Sequence, residues 1–177
     1  SGSDTEIKTN YILVGDAIAP TAVCQNINVY LDGAGNASIV AADIDGGSTD
    51  NCGAVTLSVS SSAFTCANLG PNPVVLTVTD ASGNTNTCTS TVTVSDTTSP
   101  VISCPGNQVE NPDTFCSFIL PDYTALVNAT DNCGTATVIQ SPAAGTVISG
   151  TTTLTMTSTD DSGNTSSCTF QVILTDG

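Results

Sequence analysis

Short stretches in which apolar and polar residues alternate recur along the whole chain, broken by clusters of Gly, Pro, Asn and Asp. Alternation with period two marks a half-buried β-strand, and such clusters mark the turns between strands. Thr77-Val78-Thr79 and Thr89-Ser90-Thr91-Val92-Thr93-Val94 set Thr on one face and Val on the other. The pattern predicts strands near 22–31, 36–43, 54–60, 63–66, 74–80 and 87–95, then near 101–104, 107–110, 116–120, 124–128, 135–140, 146–149, 152–159 and 167–175. Residues 54–66 read as a hairpin centred near Ser60.

The strand pattern is written twice. Asp16, Asp96 and Asp176 are spaced by 80 and 80, Cys24 and Cys104 by 80, Cys88 and Cys168 by 80, and Cys52 and Cys133 by 81. The words around them match: Asp80-Ala-Ser-Gly-Asn-Thr-Asn-Thr-Cys88 returns as Asp160-Asp-Ser-Gly-Asn-Thr-Ser-Ser-Cys168, and Thr49-Asp-Asn-Cys-Gly53 as Thr130-Asp-Asn-Cys-Gly134. Val94-Ser-Asp-Thr-Thr-Ser-Pro100 has a counterpart in Val14-Gly-Asp-Ala-Ile-Ala-Pro20. The expected domains are a first repeat over 17–96 and a second over 97–177. Residues 1–16 read as the last strand of a preceding repeat, a leader or a donor strand, since Tyr11-Ile-Leu-Val-Gly-Asp16 aligns with Thr91–Asp96 and Gln171–Asp176. The chain thus reads as a window on a longer array. Six to eight short strands in about eighty residues signal a sandwich. The expected fold is all-β: tandem immunoglobulin-like antiparallel β-sandwiches, although the Cys…Trp…Cys pattern of antibody domains is absent for want of any Trp.

Composition narrows the function classes. The 177 residues carry 16 acids, one basic residue (Lys8) and no His, for a formal net charge of −15. Nucleic-acid binding needs Lys and Arg to neutralise phosphates, so no nucleic-acid partner is expected. A Ser-His-Asp triad, a His metal site and an arginine clamp are equally out of reach. No apolar run approaches the length of a transmembrane helix, and no membrane insertion is expected. Glu6 and Glu110 are the only Glu among the acids, and Asp suits turns, caps and oxygen-ligand metal sites better than helix surfaces.

Eight Cys with no CxxC pair favour disulfides in an oxidising, extracellular compartment, on a secreted or cell-surface protein. The starts of the first and last strands of a sandwich share one end, which favours Cys24–Cys88 and Cys104–Cys168. By elimination Cys52 then pairs with Cys66, closing the hairpin, and Cys116 with Cys133.

The loops also gather acids. In the first repeat Asp43-Ile-Asp45-Gly-Gly-Ser-Thr-Asp50 and Asp80 come to the end that carries Asp16; in the second, Asp131 and Asp160 come to the end that carries Asp96. Two carboxylates about 5 Å apart repel by roughly 3 kcal/mol at an effective dielectric near 20. A hard cation with flexible oxygen coordination removes that repulsion, and Ca²⁺ fits best. The candidate ligands are therefore Asp16, Asp43, Asp45, Asp50, Asp80, Asp96, Asp131 and Asp160, with the first junction, richer in loop acids, expected to bind more tightly. The competing reading is that these Asp residues only cap turns.

Cys104-Pro105, the Thr-Asp-Asn-Cys word and Thr159-Asp-Asp-Ser-Gly-Asn164 before Cys168 resemble the hyalin repeat (HYR), an immunoglobulin-like module, over roughly residues 17–176. The first repeat departs from it in Gln25, where Pro is expected, and in the insert Asp43–Asp50; it looks closer to related tandem repeats of very large surface or secreted proteins of gliding and marine bacteria. The resemblance implies first-to-last cystines, extracellular adhesion or a structural stalk, and no catalytic activity.

The resulting expectation is a non-catalytic segment of an extracellular adhesin, stalk or fibre, stiffened by disulfides and by Ca²⁺ at the junctions. Its partners are neighbouring repeats, with lateral or end-to-end self-association into fibres. The alternative is a module that binds a carbohydrate or protein ligand on a cell surface, for which few aromatic platforms are available. A paired-carboxylate glycosidase lacks a pocket-forming insertion. The run Thr151-Thr-Thr-Leu-Thr-Met-Thr157 suggests an ice-binding face but is explained by strand propensity. Sequons at Asn36, Asn128 and Asn164 are weak signals in so Thr- and Asn-rich a chain.

Overall fold

Alternation along β5 (Gly70–Thr79) buries Val74, Leu76 and Val78, while Val92 and Val94 are buried on β6 (Thr85–Ser95). The second repeat does the same with Leu154 and Met156 on β13 (Thr152–Thr159) and Phe170 and Val172 on β14 (Thr165–Leu174). Period-two patterning thus fixes which face of each long strand leaves water. The computed structural model describes residues 15–175, so the proposed strand over residues 11–16, apart from Gly15 and Asp16, lies outside the described residues, as does Asp176.

The remaining strands of the first repeat are β1 (Ile27–Tyr30), β2 (Asn36–Ser38), β3 (Thr56–Val59) and β4 (Ala63–Thr65). Those of the second are β7 (Val101–Ser103), β8 (Gln108–Glu110), β9 (Phe118–Ile119), β10 (Asn128–Thr130), β11 (Thr137–Ser141) and β12 (Val147–Ile148). One four-stranded sheet has the order β1-β6-β5-β3, and another repeats it as β8-β14-β13-β11. Among the described residues two-stranded ladders β2-β4, β9-β12 and β7-β10 accompany them. The fold is all-β, of the sandwich type expected. It is not wholly antiparallel: β1 runs parallel to β6 (Ile27 opposite Val92), and β8 parallel to β14 (Gln108 opposite Val172).

By Cα proximity the chain divides into two compact units. One takes the described residues through Asn26, Val40–Ser62 and Pro73–Thr91; the other takes Ile27–Ile39, Ala63–Asn72 and the chain from Val92 onward. In the second unit Leu120, Tyr123, Ile148, Leu154, Met156, Phe170 and Val172 form one apolar cluster. Tyr123 meets Phe170 edge-on at 5.6 Å between ring centroids.

Local chemistry shortens several predicted strands. The strand expected over 36–43 stops at Ser38, because Ala41–Asp43 closes a 3-10 turn in which the Asp43 carboxylate accepts from the Val40 amide at 2.7 Å. The strand expected over 124–128 is displaced to Asn128–Thr130, since Asp122 accepts from the Thr124 amide at 2.9 Å and starts a 3-10 turn over Thr124–Leu126. Residues 54–66 are not a hairpin. β3 pairs with β5 and β4 pairs with β2, so the chain changes sheets between them.

That change corrects the disulfide scheme. Cys24 bonds Cys88 and Cys104 bonds Cys168, each across 64 residues. Cys66, however, bonds Cys133 of the other repeat, not Cys52, and Cys52 and Cys116 are exposed free thiols. Without a hairpin nothing brings Cys52 to Cys66, and Cys116 sits in a tight turn after β8 while its expected partner is already engaged.

Candidate metal centres

Each repeat, with the Asp that immediately precedes it, builds the same three-carboxylate site from three short words. Asp16 and Asp96 stand in the segments that lead into the repeats, and their Oδ1 atoms accept from the amides of Ile18 and Thr98, both at 3.0 Å. Asp50 and Asp131 belong to the Thr-Asp-Asn-Cys loops, where Oδ2 accepts from the amides of Cys52 and Cys133, both at 2.8 Å. These are Asx turns, which fix the backbone and leave the second carboxylate oxygen uncommitted.

Asp80 and Asp160 close the turns after β5 and β13. Oδ1 of Asp80 accepts from the amides of Ser82 (2.9 Å) and Asn84 (2.8 Å), and Oδ2 from the Asn84 side chain (2.7 Å). Asp160 does the same with Ser162, Asn164 and the Asn164 side chain. Burial pushes both acids up, but the Asn side chains and the turn amides outweigh it and hold both below the usual carboxylate range. Gly83 and Gly163 take φ of 90° and 88°, a left-handed turn position that a Cβ disfavours. The Asn side chains also tie the turns to the lead-in segments, donating to the carbonyls of Asp16 (3.1 Å) and Asp96 (3.2 Å).

The outcome is two triads, Asp16–Asp50–Asp80 and Asp96–Asp131–Asp160, each with one carboxylate oxygen per residue lying within 4.8 Å of the others. The same atoms are left over in both. Oδ2 of Asp16 and Asp96 and Oδ1 of Asp50 and Asp131 are buried with no hydrogen-bond partner, and so is Oδ1 of Asn132. Asp96 is 6% exposed and Asp160 6%. Buried carboxylate oxygens without a donor are strongly disfavoured unless a cation meets them. The only basic side chain of the sequence, Lys8, lies outside the described residues. An all-oxygen, multiply charged donor set of this kind suits a hard divalent ion with flexible coordination.

Six of the eight candidate ligands meet in these triads; Asp43 and Asp45 do not. The Asp43 carboxylate is held by the Val40 amide, as described above. Asp45 accepts from the amide and hydroxyl of Ser48 at 2.9 and 2.6 Å, and those bonds hold it below the usual carboxylate range. Both act as turn caps, which removes the ground for tighter binding at the first junction. The sequence reading does not single out Asn132, whose signal is its place in the repeated Thr-Asp-Asn-Cys word.

A model of the HYR domain matches residues 95–174, so that part of the chain is similar to that family. No curated protein matches the sequence. Among solved structures, Drosophila N-cadherin EC1-4 aligns at 12% identity and a TM-score of 0.43, over 90% of this chain and 50% of its own. Mouse cadherin-23 EC22-24 aligns at 10% identity and a TM-score of 0.44, over 90% of this chain and 67% of its own. The chain therefore spans half the length of the N-cadherin fragment that it matches.

Proposed function

We propose that the chain is a non-catalytic pair of tandem immunoglobulin-like repeats, over 17–96 and 97–177, of an extracellular adhesin, stalk or fibre. Disulfides and Ca²⁺ at the head of each repeat make it stiff. The HYR match over residues 95–174 supports the adhesion-type, extracellular reading. The observation that carries it is the duplication of the triads down to the same unpartnered oxygens. Asx turns alone would leave no reason for three carboxylates to converge twice.

At the second centre Asp96, Asp131 and Asp160 would hold the ion, with the side-chain oxygen Oδ1 of Asn132 available as a neutral ligand. At the first, Asp16, Asp50 and Asp80 would do so. Bridging the lead-in segment to two loops, a bound ion would restrict bending at the start of a repeat. Neighbouring repeats are the partners in this reading, in the same fibre or in self-association.

Calorimetric titration of chelator-treated protein tests it. The expected result is two Ca²⁺ sites and a melting temperature that rises with Ca²⁺. Absence of both heat and thermal shift would overturn the calcium reading.

A further inference from the structure

Cys66–Cys133 joins the two repeats, and the second repeat carries the parts of the same joint once more. In the first repeat the turn Asp32–Asn36 receives its neighbour: Asn132 donates its amide to the Asp32 carbonyl at 3.0 Å, and Cys133 bonds Cys66 beside it. The turn is built by Asp32 Oδ1 accepting from the amides of Ala34 and Asn36, both at 2.9 Å, and by Gly35 donating to the Asp32 carbonyl at 2.9 Å. Asp113–Ser117 reproduces it: Asp113 Oδ1 accepts from Phe115 (2.8 Å) and Ser117 (2.9 Å), and Cys116 donates to the Asp113 carbonyl at 3.0 Å. Cys116 therefore stands at the place of Gly35, with φ of 59° against 75°.

The strand register completes the correspondence. Phe64 lies opposite Ala37, and Ile148 lies opposite Phe118, the counterpart of Ala37. Two residues on, Cys66 of the first repeat matches Gly150 of the second. Glycine and cysteine have exchanged places. A Cβ on Gly35 would come within 2.6 Å of Cys66 Sγ and 3.5 Å of Cys133 Sγ, so a cysteine at the turn puts its side chain where Cys66 puts its sulfur. Among the described residues nothing covers the corresponding turn of the second repeat: Cys116 is an exposed thiol, and Phe115 beside it is 85% exposed. The corresponding inserting cysteine is in no disulfide among the described residues: Asn51 and Cys52 match Asn132 and Cys133 in the repeated Thr-Asp-Asn-Cys loop, and the exposed Cys52 sulfur meets only the Asn51 side chain, at 3.2 Å, and Asp16.

We propose that Cys52 and Cys116 are the two halves of a second inter-repeat cystine, formed between copies of this chain. The Cys52 loop of one copy docks on the Asp113–Ser117 turn of another, Asn51 donates to the Asp113 carbonyl, and Cys52 bonds Cys116. Copies are then linked head to tail. The chemistry is thiol–disulfide exchange with a disulfide oxidant: one protein thiolate attacks the oxidant and expels one of its thiols, and the second protein thiolate attacks the mixed disulfide and expels the other. Two S–H protons are lost, one oxidant S–S bond breaks, and one protein S–S bond forms. The inference rests on the repeat correspondence and not on bound calcium.

The test is oxidation of the full chain by oxidised glutathione, with Ca²⁺ and separately with chelator. The expected result is a ladder of disulfide-linked multimers on a non-reducing gel, with Cys52–Cys116 as the linking peptide. Cys52→Ser and Cys116→Ser, both at exposed positions, each stop the ladder. An equimolar mixture of the two variants gives a Cys116–Cys52 heterodimer at least tenfold over either homodimer, and Asn51→Ala lowers its yield several-fold. Homodimers in statistical proportion, an intramolecular Cys52–Cys116 bond, or monomers capped by glutathione would each overturn the proposal. A ladder without calcium heat would leave this proposal standing and the calcium reading fallen.

Discussion

Cys66 and Cys133 are joined across 67 residues with their Cα atoms 5.3 Å apart, and the bond ties the end of β4 in the first repeat to the Thr-Asp-Asn-Cys loop of the second. Asn132, the neighbour of Cys133, sits between this cystine and the second triad: its amide nitrogen donates to Asp32 and lies 3.4 Å from Asp96 Oδ1. The covalent joint and the carboxylate site are therefore one local structure.

The double variant Cys66→Ser/Cys133→Ser should lower stability in chemical denaturation. In the chain-entropy account a closed loop of this length contributes roughly 4 kcal/mol, and strain in the native bond would reduce that. Calcium titration of the same variant should show weaker binding at the second centre, because Asp131 and Asn132 flank the lost bond.

Asp131→Asn should act with opposite sign in the two metal states. The carboxamide oxygen can still accept from the Cys133 amide, while one of three converging charges is removed. In chelator the variant should be more stable by about 1–3 kcal/mol, the scale of repulsion between carboxylates at this separation in a partly solvated site. With Ca²⁺ it should lose the thermal shift of the second centre. A variant less stable than the parent in both conditions would contradict a metal-ligand role for Asp131.

Asp45→Asn separates capping acids from converging ones. Asp45 is charged and bonded to Ser48, which lowers its pKa, so its contribution is present above the ordinary carboxylate range and is lost as pH falls through its folded value. The substitution should slightly lower the melting temperature at neutral pH and have no such effect in strong acid. Calcium heats at both centres should be unchanged, which calorimetry can check.

Much of this was legible in the residues themselves. The period of eighty set the matching words in register, and the words Thr-Asp-Asn-Cys and Asp-x-Ser-Gly-Asn held four of the six triad acids in fixed local geometry. The two cystines from first to last strand followed from sandwich topology. What failed did so where tertiary structure overrides local pattern. Residues 54–66 alternate like a hairpin, yet the chain crosses between sheets after β3, and no spacing rule announces that. The relation of Cys116 to Gly35 was hidden because the partner position shifts from Cys66 to Gly150, an offset of 84 rather than 80. Asp43, Asp45 and Asp50 all accept from nearby groups, but only Asp50 brings a carboxylate oxygen to Asp16 and Asp80, and no local word distinguishes it from the other two.

Tyr123 gives a pH test that is independent of metal. Its ring is buried against Phe170, its hydroxyl lies 3.1 Å from Glu110 Oε1, and the phenol pKa is pushed up to about 12, by burial first and then by the Glu110 carboxylate. Only the neutral phenol can donate to that carboxylate. The unfolded chain releases the proton near the ordinary value of 10.0, so the contribution is whole below that pH and is lost as pH rises toward about 12. Between those limits stability should fall by up to roughly 2–3 kcal/mol, the free energy of a shift of this size. Tyr123→Phe keeps the edge-on contact and removes the proton, so its stability should not show this alkaline decline. The measurement is urea denaturation from pH 9 to pH 12 in a Cys52→Ser/Cys116→Ser background, which takes the two free thiols out of play. Parallel curves for parent and variant would show that the phenol stays hydrogen-bonded to water rather than to Glu110.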